Sequence, residues 1–262
     1  MRDFLRFAHR QISVQLQIRT FNLYNLLIFF VQPAIFSAVG MILSRAAGRS
    51  TPDLVYTVIG GGVLGMWSGM LFTSTYDIRS DRRDGILELL VASPTSLRRI
   101  EGVRTFTNIT ASLVSLLFAV GAAALIFRFT FTGINVLQLL LAILALLYSL
   151  WCLGVFLANF LAWSRLSGSI VDFLELPIAF LCGFMYPIRV LPQWLQGIST
   201  IVPVRWALQA LDFTLTQGQN TYNYWFYFGM AVLIASIYWL ISLWLDRKVH
   251  DHIRITGELS SI

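Results

Sequence analysis

Tyr76-Asp-Ile-Arg-Ser-Asp-Arg-Arg-Asp-Gly-Ile-Leu-Glu-Leu-Leu-Val-Ala-Ser-Pro94 is a charged segment lodged between two long apolar runs. Across residues 77–104, Arg79, Arg82, Arg83, Arg98, Arg99 and Arg104 nearly balance Asp77, Asp81, Asp84, Glu88 and Glu101. Ile86, Leu87, Leu89, Leu90 and Val91 supply an apolar side; Gly85 breaks the charged run before them and Pro94 stops it. Such a segment reads either as a solvated loop with arginines snorkelling at headgroups or as a short helix whose charges and apolar knobs fit a groove on a soluble partner.

The rest of the chain explains why that segment is flanked as it is. Of 262 residues, 57% are hydrophobic and 12% charged, whereas a soluble domain carries about a quarter charged residues. With a mean hydropathy of +0.72, this composition predicts a polytopic all-α membrane protein. Six runs are long enough to cross about 30 Å of hydrocarbon: 23–43, 54–76, 105–127, 136–161, 170–186 and 222–245. If both termini face the cytoplasm, the outer segments hold only Arg45, Arg49, Arg128, Arg189 and Arg205, and every other basic residue falls inside. That bias fixes the expected orientation. It also accounts for the net charge of +6 without a nucleic-acid partner, since no basic patch interleaved with aromatics occurs on a soluble face.

Residues 1–20 lack the apolar core and cleavage site of a signal peptide. Phe4, Leu5, Ala8, Ile12 and Leu16 make one helical stripe, with Arg2, Arg6, His9 and Arg10 opposite, so a helix lying in the interface is expected. Cys152 and Cys182 sit inside apolar runs without ligand spacing and are expected to act as small buried hydrophobes.

Two separated blocks carry a family resemblance. Residues 80–94 are similar to the loop after the second span of type-2 ABC export permeases, with Ile86 where that family often has Thr. Leu181-Cys-Gly-Phe-Met-Tyr-Pro-Ile-Arg-Val-Leu-Pro-Gln-Trp-Leu-Gln-Gly-Ile-Ser-Thr-Ile-Val-Pro203 resembles the family's segment after the fifth span. The resemblance covers essentially the whole chain. It implies one permease domain: an amphipathic lead-in (1–20), a cytoplasmic coupling segment (77–104), an outer re-entrant segment (187–205) and a cytoplasmic tail (246–262). Asp81, Arg82, Arg83, Gly85, Leu87, Glu88, Leu89 and Leu90 would then contact an ABC ATPase subunit, present in two copies, which binds the ATP and Mg that this chain does not. A second permease, identical or paralogous, and membrane lipids complete the expected assembly in a bacterial inner membrane.

Physical reasons stand beside the resemblance. Pro187, Pro192 and Pro203 forbid one continuous helix after Gly183, and the pieces between them are too short to span. With Trp194, Trp206 and Tyr186 as interface-seeking aromatics, the segment reads as short helices that dip into the outer leaflet, or as a loop on the headgroups. Gly61, Gly65 and Gly69 repeat at four-residue spacing in the second run, which suits close helix packing within the chain or across a dimer.

Function is bounded by exclusion and by chemistry. No nucleophile elbow, HExxH or P-loop occurs, so no catalysis is expected of the chain. The resemblance implies an export permease, and spans rich in Phe, Trp, Leu and Met with few charges suit an amphipathic or lipid-like molecule. The alternative is a carrier driven by an ion gradient. Its ligands would be Asp172 and Glu175, three residues apart on one face of the fifth run. Such carriers usually contain an internal repeat of spans, which this chain lacks.

Overall fold

The computed structural model describes residues 31–46, 48, 56–71, 102–110, 112–113, 116–117, 121, 135–164, 168–184, 186, 188, 191–216 and 221–256. Among these residues the structure is helical, with no strand. The helices are α1 (Gln32–Ala46), α2 (56–71), α3 (102–110, with further helical positions to 121) and α4 (Val136–Ser164). They continue with α5 (Gly168–Cys182), α6 (Gln193–Ser199), α7 (Pro203–Thr216) and α8 (Thr221–Thr256). The amphipathic lead-in and the segment 77–101 lie outside the described residues.

Two helices are long and apolar enough to cross a membrane, with spans at Val136–Phe160 in α4 and Tyr222–Asp246 in α8. Only 22% of the α8 window is buried, far below what a soluble core helix requires. Leu233, Ile237, Leu240 and Trp244 stand exposed along it, as do Leu137, Leu140 and Leu144 along α4. Apolar faces of this extent need lipid or protein against them. Asn135 starts α4 by accepting bonds from the Leu137 and Gln138 amides at 3.1 and 3.4 Å, which satisfies donors the helix itself leaves open.

The α4–α8 pairing sets the chain's course. Tyr224 donates to the Gln138 carbonyl at 2.7 Å, Tyr148 pairs with Ser236 at 3.2 Å, and Asn159 donates to Ser242 Oγ at 2.7 Å. Between these bonds Trp151 stacks on Trp239 with centroids 4.7 Å apart. The residue numbers rise together on both helices, so α4 and α8 run parallel.

α2 is the central element, and every described residue of it is buried. Glycine costs a helix about 1 kcal/mol per residue relative to alanine, yet Gly60, Gly61, Gly62, Gly65 and Gly69 all sit here. Close backbone approach explains two of them. A Cβ on Gly61 would fall 2.6 Å from Ser37 Oγ and 2.8 Å from Ser37 Cα on α1, and one on Gly60 would collide with the Phe184 carbonyl oxygen. The Ser37 hydroxyl uses this proximity to reach the Val58 carbonyl at 3.2 Å.

The sequence places the fifth span at 170–186, but α5 stops at Cys182. Gly183 takes a left-handed φ of 69°, a conformation open to glycine at little cost. Its amide bonds the Phe180 carbonyl at 3.1 Å and the Phe184 amide bonds the Ala179 carbonyl at 3.5 Å. These two bonds are the Schellman closure of a helix C-terminus. At the other end of the sequence the helix outlasts its apolar run: α8 continues to Thr256, beyond 245. Both cysteines are free and buried.

Gly60→Ala should destabilise the protein by about 3 kcal/mol, because the methyl group has only backbone to displace. Gly229→Ala on α8, with nothing within 4 Å of the new Cβ, should instead stabilise by about 0.5–1 kcal/mol through helix propensity. Thermal unfolding of both variants in lipid checks the opposite signs.

Candidate functional site at the α5–α8 junction

The described residues between 183 and 216 form a polar junction, built upward from the broken backbone. Pro192 precedes α6 and accepts the Leu195 and Gln196 amides at 2.9 and 3.0 Å. α6 has 7 residues, about 10 Å at 1.5 Å per residue and too short to cross the hydrocarbon, and α7 has 14. Pro203 opens α7, a position where its missing N–H costs nothing. α7 packs against both α4 and α8, with Trp206 edge-on to Phe226 at 5.8 Å.

Broken backbone needs partners in an apolar setting, and side chains supply them. Gln196 Nε2 donates to the Leu191 carbonyl at 2.7 Å and Arg205 Nη1 to the Gln196 carbonyl at 2.9 Å. Trp206 Nε1 donates to the Thr200 carbonyl at 2.9 Å. Ser199 Oγ donates to the Leu181 carbonyl, tying α6 to the end of α5. The Arg205 guanidinium also lies 5.1 Å from the Trp206 ring centroid, a cation–π distance.

The keystone comes from α2. Tyr56 is 5% exposed, and its hydroxyl donates to the Gly183 carbonyl at 2.8 Å. Asp212 and Arg205 both act electrostatically on this phenol. Arg205, Gln209 and Asp212 recur at i, i+4 and i+7 of α7, so one cation, one amide and one carboxylate share a helix face. The junction thus holds α2, α5, α6 and α7 together through polar contacts.

Of the residues singled out in the sequence, Gly183, Pro192, Trp194 and Pro203 meet in this junction; Pro187 lies outside the described residues. Gly183 ends α5, Pro192 and Pro203 open α6 and α7, and Trp194 is 68% exposed on α6. Gly61, Gly65 and Gly69 are buried on α2. Asp172 and Glu175 lie in the first half of α5, with their side chains outside the described residues. Asp81, Arg82, Arg83, Gly85, Leu87, Glu88, Leu89 and Leu90 are likewise outside them. Sequence reasoning missed Tyr56, Gln209 and Asp212; the polar spacing 205, 209, 212 within an otherwise apolar stretch was the available signal. No group of His, Cys, Asp or Glu suited to a metal occurs among the described residues.

Exposed apolar spans and short helices pinned by buried polar contacts define a membrane-embedded helical protein. The chain matches the ABC-2 type transporter family over residues 4–216 and belongs to it. No curated protein matches the chain. The resemblance carried by the two sequence blocks is therefore borne out. Members of the family are the non-catalytic transmembrane components of ABC transporters, and an ABC ATPase is their general partner.

Tyr56→Phe leaves the Gly183 carbonyl without its donor and should cost about 1–2 kcal/mol. Tyr186→Phe removes a more exposed bond, to the Phe180 carbonyl at 2.8 Å, and should cost about 0.5 kcal/mol. Unfolding of both variants in lipid, compared with wild type, reads out the difference.

Proposed function

We propose that this chain is the permease of an ATP-driven exporter, moving an amphipathic or lipid-like molecule out of the cytoplasm or the inner leaflet. Drugs, antibiotics, lipids and lipid-linked glycans fit that chemistry. Family membership supports the reading most directly. The parallel course of α4 and α8 supports its layout. Two parallel spans must be joined by an odd number of crossings; α5 offers one, and α6 with α7 would bring the chain back to the face it left. This arrangement agrees with six spans, both termini inside and 187–205 as an outer re-entrant element.

ATP and Mg would bind on two copies of a separate ATPase, in a bacterial inner membrane, with a second permease copy or paralogue beside this one. The segment 77–104 would carry the coupling. Asp81, Arg82, Arg83 and Glu88 offer charges to a soluble partner, and Leu87, Leu89 and Leu90 offer apolar knobs. Closure of the ATPase subunits can shift the spans only if the partner binds the two permease states with different affinity.

The test is co-purification of the tagged chain from membranes, with ATPase activity of the eluate measured in lipid. A stoichiometric ATPase is expected, and reversing Asp81 and Glu88 to Arg should remove it while the spans stay folded. Glu88→Arg alone should uncouple ATP hydrolysis from transport. An ATPase-free protein that still moves solute along an ion gradient would replace this reading with a carrier centred on Asp172 and Glu175.

A further inference from the structure

Thr105 and Asn108 on α3 are both 0% exposed. Neither the Thr105 hydroxyl nor either end of the Asn108 carboxamide has a hydrogen-bond partner. At i and i+3 the two side chains share one helix face. That face is wedged inside the bundle: a Cβ on Gly154 of α4 would fall 2.8 Å from Thr105 Cγ2 and 2.7 Å from Met70 Sδ of α2. Three helices therefore close around Thr105, and position 154 admits them only because it carries no side chain.

An unpaired amide buried away from water costs about 1–3 kcal/mol, and a polar residue in a span ordinarily avoids that cost by bonding a neighbouring helix. Asn159 does so in this same bundle, donating to Ser242 Oγ at 2.7 Å. Asn108 does not. Even Ser112, one turn further along α3, bonds the main-chain carbonyl of residue 108 at 2.8 Å and leaves the carboxamide alone. Arg104, one turn before Asn108, already has an interaction of its own. The unmet hydrogen-bonding capacity of Thr105 and Asn108 themselves is uncharged: amide donors, an amide acceptor and a hydroxyl.

Resting on the permease reading, we propose that Thr105 and Asn108 bind a neutral hydrogen-bonding group of the transported molecule, a hydroxyl or an amide on an otherwise apolar body. The site is closed in the conformation described and opens when α3 parts from α2 and α4. A cationic headgroup is disfavoured, because the charged side chain next to the pair, Arg104, is itself a cation. The pair would give the pathway a selectivity that its apolar lining lacks, since a site built to hydrogen-bond a group discriminates strongly against analogues without it.

The experiment uses the full chain in lipid nanodiscs, with co-purified ATPase activity recorded on the same preparations. Wild type, Asn108→Leu and Thr105→Val are unfolded thermally with octyl glucoside below its micelle concentration, or with octyltrimethylammonium, which has the same chain and a charged head. The glucoside should raise the wild-type midpoint and the ammonium should not. Asn108→Leu should itself raise the midpoint by about 2–4 °C, having removed the unpaired amide, and should abolish the glucoside shift; Thr105→Val should weaken that shift. A lower midpoint for Asn108→Leu would make the asparagine structural and overturn the proposal. So would a wild type indifferent to the glucoside, or a shift that survives Asn108→Leu. Loss of the ATPase partner with the shifts intact would instead count against the permease reading alone.

Discussion

Parallel packing of α4 against α8 is the constraint on which the rest of this molecule depends. It is held by Tyr224 on the Gln138 carbonyl, the Trp151–Trp239 stack and Asn159 on Ser242, spread along the whole contact. Two parallel helices cannot be joined by one short turn. The intervening chain must travel back along the bundle, and α5 lies on that path, its end tied to α6 by Ser199. The chain beyond α5 reaches α8 through the short helices α6 and α7. Breaking the backbone there creates carbonyls that an apolar surrounding cannot satisfy. Ser199, Gln196, Arg205 and Trp206 are the side chains that satisfy them.

Tyr56 then connects this junction to the centre. Its bond to the Gly183 carbonyl joins the buried α2 to the point where α5 turns, and the close passage of Gly60 to Phe184 allows it. Toward its other end α2 meets α3 and α4 where Met70, Thr105 and Gly154 crowd together. One rigid helix thus touches the polar junction at one end and the unpaired α3 face at the other. A helix shift that loosens one contact is transmitted along α2, because its packed surroundings leave little room for local bending. The proposed ATP-driven movement would use this path to reach both places.

Much of this was legible in the sequence, for reasons that differ by element. The fourth span was expected at 136–161 and α4 runs Val136–Ser164, because a long apolar run and a helix coincide when the cap, Asn135, sits at the boundary. The sixth run ends at 245 while α8 continues to Thr256; hydropathy marks where lipid ends, whereas the backbone ladder continues through the polar residues beyond. The fifth run extends to 186 and α5 ends at Cys182, since the next residue, a glycine, turns left-handed inside a stretch that is still apolar. The segment of short helices was expected at 187–205, whereas α7 runs Pro203–Thr216, because Pro203 opens a helix and does not end one. The polar face of α7, Arg205, Gln209 and Asp212, acquires meaning only once Tyr56 of α2 is seen within its electrostatic reach, a relation between distant parts of the chain that periodicity cannot encode. Asn108 was invisible for a simpler reason: a lone asparagine in a span looks like helix glue until its partners are sought.

The central claim is that the chain leaves and re-enters the same face between α5 and α8. It is tested by single cysteines at positions 166, 194 and 219 in a Cys152→Ala, Cys182→Ala background, labelled by a membrane-impermeant thiol reagent in intact cells. The account predicts labelling at 194 and 219 from outside, with 166 labelled only after permeabilisation. Labelling of 194 and 219 from opposite faces would show that α6 and α7 cross the membrane, and would contradict it.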